Sequence, residues 1–313
     1  MHTTPLAAAP VTCSVRSAIL RTLLYFDVFH HPLTVKEIIR FNPLTGLSVE
    51  DVEAELDELV SEGTVLLHNA HYGFGELAKN LEKRLADNAR ARSRMDKAYR
   101  IGRFIGRFPF VRAVMLSGSI SKGCLAKDGD IDYFVITEPG RLWIARTLLI
   151  GFKKLFLFNS RKDFCVNYFV DLDHLAIEDR NLFTATEILT LVPVSGADAS
   201  AAFFRANGWA NTFLPELPPP ATRHVSGIHG PVKRLFERCM RNGMGDEVDE
   251  WCMLRTLRHW KNKFAEFDRQ RFELALRTRK YVSKHHPRNF QQRVLDAYAE
   301  RLQRIGQAEI EHA

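Results

Sequence analysis

From Val15 to Phe29 the apolar residues Ile19, Leu20, Leu23, Leu24 and Val28 recur at the spacing of one helix face. His31-Pro32-Leu33 breaks that pattern. Thr34, with Glu37 three residues on, has capping-box spacing and predicts a short helix through Ile38 and Ile39. Asn42-Pro43 and Thr45-Gly46 mark a turn. Ser48 then predicts the start of a third helix, carrying Val49, Val52, Leu56 and Leu59 and ended by Gly63. Thr64-Val65-Leu66-Leu67 and Tyr72-Gly73-Phe74 read as two short strands around His68-Asn69-Ala70-His71.

Further on, residues 76–107 predict a long helix rich in Lys and Arg. Phe110 to Leu116, Ile131 to Thr137 and Phe164 to Val170 read as strands, and Arg141 to Leu157 and Asn181 to Leu191 as helices. Such alternation predicts a small α/β sheet domain. Pro215-Glu216-Leu217-Pro218-Pro219-Pro220 reads as a stiff connector, after which the chain is expected to be mostly helical. No internal repeat is visible. Five segments follow: a flexible stretch over 1–13, a module over 14–75, a sheet domain over 76–205, a Pro-rich linker over 206–222 and a helical domain over 223–313.

Three helices and a β-hairpin in that order resemble a winged helix, a resemblance that implies DNA binding through the third helix. Charge argues against it. Residues 14–75 hold four basic and nine acidic side chains, a net of −5. The third helix carries Glu50, Asp51, Glu53, Glu55, Asp57, Glu58 and Glu62 and no Lys or Arg before Gly63. A surface that meets phosphates needs basic neighbours, so a protein partner or intramolecular packing is the expectation and nucleic acid is not favoured.

The rest of the chain has the opposite sign. Residues 76–107 carry a net of +6 and residues 223–313 a net of +7, within a chain of +7 overall. That asymmetry is compatible with an anionic partner or with solvated helix faces. With 46% hydrophobic residues and 22 Phe among 313, the chain has material for a sizeable core. The five cysteines (Cys13, Cys124, Cys165, Cys239 and Cys252) are scattered, with no Cys-x-x-Cys spacing. Neither a disulfide framework nor a zinc site is expected, and a reducing cytoplasm fits. The N-terminus does not read as a signal peptide. The most apolar stretch, Leu142 to Phe158, is interrupted by Arg146, Lys153 and Lys154, which argues against a membrane span.

The candidate chemistry lies in Leu116-Ser117-Gly118-Ser119-Ile120-Ser121-Lys122-Gly123 and, just beyond it, Asp128-Gly129-Asp130-Ile131-Asp132-Tyr133-Phe134-Val135. Gly118 allows close approach of the backbone to phosphate oxygens. The Ser119 hydroxyl and the backbone N–H groups of a helix N-terminus can donate to them, and Lys122 adds positive charge. On a strand, Asp130 and Asp132 share a face and can hold a hard cation such as Mg²⁺ beside a triphosphate.

Gly-Ser, a gap of about ten residues and an Asp-x-Asp opening an apolar strand resemble the motif of the polymerase-β-like nucleotidyltransferases. Gly118, Ser119, Asp130 and Asp132 stand at its positions, and the resemblance spans roughly residues 85–195. It implies an α/β (α+β) fold with a small mixed sheet, flanked here by the winged-helix-like module and the helical domain. It also implies two Mg²⁺ ions bound by Asp130 and Asp132, an NTP substrate contacted by Gly118, Ser119, Ser121 and Lys122, and transfer of an NMP to a protein, small-molecule or RNA acceptor with release of pyrophosphate. The family usually adds a third carboxylate on a later strand. Here the central polar residue of that strand is Asn167, flanked by Asp163 and Asp171, and any of the three can be its replacement. The alternative is an inactive, nucleotide-sensing regulatory protein whose winged helix binds DNA or protein. His30-His31, His285-His286 and the basic stretch Lys284 to Phe290 are expected to serve as packing or solvated turns.

Overall fold

A computed structural model describes residues 14–158, 162–222 and 230–311. The flexible stretch expected over 1–13, and Cys13 with it, lies outside the described residues. The chain is mixed α/β and divides into two compact units.

The first unit comprises residues up to Arg84, Asn211–Leu217 and the residues from Val294 on. It opens with α1 (Val15–Asp27), α2 (Val35–Arg40) and α3 (Val49–Ser61). Each start follows from its cap. The hydroxyls of Ser14 and Ser48 accept the backbone N–H groups of Ser17 and Asp51, and Thr34 and Glu37 form the reciprocal capping box. Ile19, Leu23, Ile38, Val52, Leu56 and Leu59, all fully or almost fully buried, make the core that these helices share. The hairpin follows as β1 (Leu66–His68) and β2 (His71–Gly73), antiparallel. Asn69 and Ala70 between them both have positive φ (47° and 58°), as a two-residue hairpin turn demands. Leu33, between α1 and α2, exchanges backbone hydrogen bonds with Tyr72 and adds an antiparallel bridge on the other side of β2. Residues 211–217, inside the expected connector, are packed in this unit: Leu214 and Leu217 are buried, and the Glu216 carboxylate accepts the Gly46 N–H at 3.1 Å.

Helix α4 (Leu77–Gly106) gives its first turns to the first unit and the remainder to the second. The second unit continues with β3 (Val111–Ser117), α5 (Gly118–Ser121), β4 (Asp132–Thr137), α6 (Leu142–Phe156), β5 (Cys165–Asp171), α7 (Leu182–Leu189), β6 (Val192–Ser195) and α8 (Ala197–Ala206). After Pro218 come α9 (Pro231–Cys239), α10 (Gly243–Lys263), α11 (Arg269–Ala275), β7 (Thr278–Arg279), β8 (Val282–Lys284) and the first residues of α12 (Phe290–Glu311). The region expected to be one helical domain is therefore shared out. Its residues up to 293 belong with the sheet and supply two strands to it, and those from Val294 on belong to the first unit, where Arg301 pairs with Asp27 at 2.7 Å.

The sheet has the order β6-β3-β4-β5-β8-β7. Only β4 and β5 run parallel, with α6 as their crossover; the other neighbours are antiparallel. Alternation along β4 separates two faces. Tyr133 and Val135 enter the main core with Ala91, Ala98 and Ile105 of α4 and Trp143, Ile144 and Leu149 of α6. Tyr133 also donates its hydroxyl to the Ala98 carbonyl at 3.0 Å. Phe134, on the opposite face, stacks on Tyr168 and tilts against Phe203 of α8. Asp132 shares that second face, at the N-terminal end of β4.

Candidate functional site

The site starts where β3 ends. Ser117 pairs in register with Asp132, so the turn after β3 lies directly beside the start of β4. The next residue, Gly118, has φ +68°, and a Cβ placed on it would come 2.7 Å from Asp132 Oδ2. Both facts require glycine: the left-handed conformation penalises a side chain, and the aspartate carboxylate occupies the space a side chain would fill. The Gly118 carbonyl accepts the Ser121 hydroxyl at 2.9 Å and the Lys122 ammonium at 3.0 Å. Lys122 also donates to Glu187 Oε1 at 2.7 Å. Ser119 is exposed, with its carbonyl accepting the Cys124 N–H.

The loop joining this turn to β4 is tied down by α4. Leu125 N–H donates to the Asp87 carbonyl, and Arg90 donates to both the Leu125 carbonyl and the Asp87 carboxylate at 2.6 Å. Ile131 then extends the parallel pairing, its N–H donating to the Lys162 carbonyl and its carbonyl accepting from Cys165 N–H. Ile131 is buried while Asp130 and Asp132 on either side of it are half-buried, the alternation that strand spacing predicts for this Asp-x-Asp.

Burial pushes the Asp132 carboxyl up to about 6, and the neighbouring charges of Asp130 and Glu187 act in the same sense. A contact with Cys165 and the charge of Lys122 oppose the rise. The Cys165 thiol is itself pushed up to about 12, first by burial and then by Asp132, so it stays protonated.

Of the three candidates for a further ligand, the structure brings Asn167 to Asp132. The pairing of β4 with β5 runs Tyr133 to Val166 and then Phe134 to Tyr168, which leaves Asn167 as the extra residue of a bulge. Its amide Nδ2 donates to Asp132 Oδ1 at 3.0 Å and to the Cys165 sulfur at 3.0 Å. Asp171 pairs with Thr137 at the far end of the two strands, about 16 Å along β4 at strand rise, and accepts from the His174 backbone and ring. Asp163 precedes β5 and is held by Arg94 at 3.0 Å and Lys97 at 2.6 Å, both from α4. Counting parity alone treats 163, 167 and 171 as equivalent; the bulge and the ion pairs separate them.

Glu187 was not among the sequence candidates. Its signal was present: it is the one charged residue in α7, Leu-Phe-Thr-Ala-Thr-Glu-Ile-Leu. The stretch expected as a basic solvated loop also differs. Lys284 ends β8 opposite Tyr168 and, buried, donates to Asp179 and Gln291, both at 3.1 Å. His285 packs on Trp260, and half-buried His286 is pushed down to about 4 by desolvation and so is neutral near pH 7.

A hard divalent cation prefers carboxylate oxygens, and the paired Asp130 and Asp132 suit one. Among the described residues, no three His, Cys, Asp or Glu side chains are grouped to hold a metal ion. No described helix is long and apolar enough to cross a membrane. Compared with known proteins, the chain matches no family model, no curated protein and no solved structure.

Proposed function

We propose that the chain is a Mg²⁺-dependent nucleotidyltransferase of the polymerase-β-like kind, moving an NMP from an NTP to a protein, small-molecule or RNA acceptor. The observation that supports this reading is the closeness of Gly118 to Asp132: a Cβ on Gly118 would lie 2.7 Å from Asp132 Oδ2, so the left-handed glycine turn after β3 sits beside the strand residue of the Asp-x-Asp. In the reaction an acceptor oxygen bonds to the α-phosphorus, the bond to the β-phosphate bridging oxygen breaks, pyrophosphate leaves and the acceptor proton passes to solvent. Mg²⁺, when bound, would neutralise charge on the phosphates and the leaving group. Asp130 and Asp132 would hold it. Asn167 orients the Asp132 carboxylate through its amide hydrogen bond. The exposed Ser119 hydroxyl and the Lys122 ammonium would meet the phosphates, and Ser121 braces the turn through the Gly118 carbonyl.

One observation favours a second reading, a nucleotide-sensing protein without turnover: Asn167 stands where a third negative charge would assist metal binding. In either case residues 14–75 are read as a winged-helix-like module whose acidic α3 suits a protein partner better than nucleic acid, and a reducing cytoplasm is the compartment that fits. Incubation of the full chain with Mg²⁺ and each of the four NTPs, in the presence of cell lysate as a source of acceptors, separates the readings. Release of pyrophosphate supports transfer. Nucleotide binding without release, together with tight and salt-sensitive duplex binding, supports the sensor.

A further inference from the structure

We propose that Glu187 is a positioning residue for the phosphate end of this site, acting by holding the Lys122 ammonium against the Gly118 turn. The inference rests on the transfer reading above. Lys122 sits at the C-terminal end of α5, one of the shortest helices of the chain, on a side chain with four rotatable bonds. Left alone, such an ammonium samples water. Here two acceptors on different elements fix it: Glu187 Oε1 at 2.7 Å and the Gly118 carbonyl at 3.0 Å. The two side chains are only about a quarter exposed, at 23% for Lys122 and 30% for Glu187, so solvent screens the pair incompletely.

Helix α7 is built to deliver that carboxylate. Asn181 caps its start by accepting the Thr184 N–H at 2.9 Å. Thr186 returns its hydroxyl to the Leu182 carbonyl of its own helix, and Thr190, the residue closing α7, does the same to Thr186. Ala185, Ile188 and Leu189 are buried. Glu187 is thus the side chain of α7 that reaches across to the glycine turn, and it meets the one cation that the turn carries. A lysine pre-aimed in this way loses less freedom when it engages phosphate, which strengthens nucleotide binding without taking part in bond making. Removing the carboxylate should therefore appear in affinity and KM, not in kcat.

The test uses the full chain with Mg²⁺ and the NTP that binds it among ATP, CTP, GTP and UTP. Binding is read by calorimetry, turnover by pyrophosphate release and integrity by melting temperature. Glu187→Ala is expected to weaken affinity and raise KM about tenfold, with kcat within about threefold of the parent, in line with losing a charge-assisted contact. Glu187→Gln keeps an acceptor for the ammonium and should recover most of the affinity. In a Lys122→Ala background, Glu187→Ala or Glu187→Gln should have no further effect, because the carboxylate acts through the lysine. Unchanged affinity in Glu187→Ala, additive losses in the double variants, or a Glu187→Gln that abolishes kcat with KM unaltered would each overturn the proposal. If Glu187→Ala does not fold, Glu187→Leu, of similar length and without an acceptor, takes its place in the cycle with Lys122→Ala. The absence of NTP binding to the parent chain, or turnover retained by Asp132→Asn, sinks the transfer reading itself; normal nucleotide binding by both the parent and Glu187→Ala sinks only the role of Glu187.

Discussion

Helix α3 and the β3–β4 end of the sheet are both acidic, but they use their carboxylates in opposite ways. On α3, Glu50, Asp51, Glu53, Asp57, Glu58 and Glu62 stand in water. Arg16 pairs with Glu55 at 3.2 Å and with Glu62. Acids in the first turn, Glu50 and Asp51, complement the helix dipole. At the sheet end the acids are few, but Asp132 is half-buried beside the Gly118 turn, bonded by Asn167 and raised to about 6. The acids on the outward face of α3, whose other face is buried, make a solvated face. Two or three among buried strands, a glycine turn and a fixed lysine make, on the proposed reading, a place where water gives way to a cation and phosphates.

The largest effects are expected at Asp130 and Asp132. Asp130→Asn and Asp132→Asn each remove a charge at nearly constant shape and are expected to lower transfer by at least about 100-fold, with melting temperature held within a few degrees. Turnover at the parent rate in either variant contradicts the site assignment. Gly118→Ala comes next. It forces a side chain into a left-handed turn and against Asp132 Oδ2, and should cost about 1–3 kcal/mol of stability by denaturant titration as well as most of the activity. A variant of parental stability would show that the turn relaxes freely.

A buried carboxylate should also declare itself by pH. Asp249 of α10 is 5% exposed, accepts the Ile144 N–H at 2.9 Å and is pushed by burial to about 6. Its unfolded value is about 4. Between these values the folded state keeps a proton that the unfolded state has released, so stability falls as pH rises from about 4 to about 6 and then levels. Asp249→Asn should flatten that fall by about 1–2 kcal/mol. Denaturant titrations at pH 4, 5, 6 and 7 without metal measure it, and an unchanged slope contradicts the assignment. Asp132 titrates in the same window, so a residual slope is expected.

Smaller effects belong to the first unit. Ala70 holds φ +58° in the hairpin turn, and Ala70→Gly is expected to raise stability by about 0.5–1 kcal/mol by removing that strain. A loss of stability would mean that the turn is not strained. The exposed acids should matter least: Glu53→Gln and Glu58→Gln are expected to change stability by less than about 0.5 kcal/mol and leave turnover unaltered. A large loss of activity from either would erase the contrast between the two acidic regions.

Much of this was legible in the sequence because it is local. The capping box at Thr34 and Glu37, the strands after Phe110 and Ile131, the apolar helix α6 and the alternation of Asp130 and Asp132 all rest on residues a few positions apart. What was not legible depends on partners distant in the chain. Strand β6 contains Pro193, which argues against a strand except at a sheet edge, and an edge is where it lies, beside β3. Strands β7 and β8 are two and three residues long and exist only through pairing with each other and with β5. The bulge at Asn167 breaks the parity count that made Asp163 and Asp171 its equals. Glu187 reaches Lys122 across 65 positions, a separation at which spacing carries no information.

Whether Asp130, Asp132 and the Gly118 turn serve NMP transfer is decided with α-phosphate-labelled NTP. The full chain, incubated with Mg²⁺, each labelled NTP and cell lysate, should pass label to an acceptor with equal release of pyrophosphate. Asp132→Asn should pass none. Absence of both label transfer and pyrophosphate release with all four NTPs, or equal transfer by Asp132→Asn, would contradict the account.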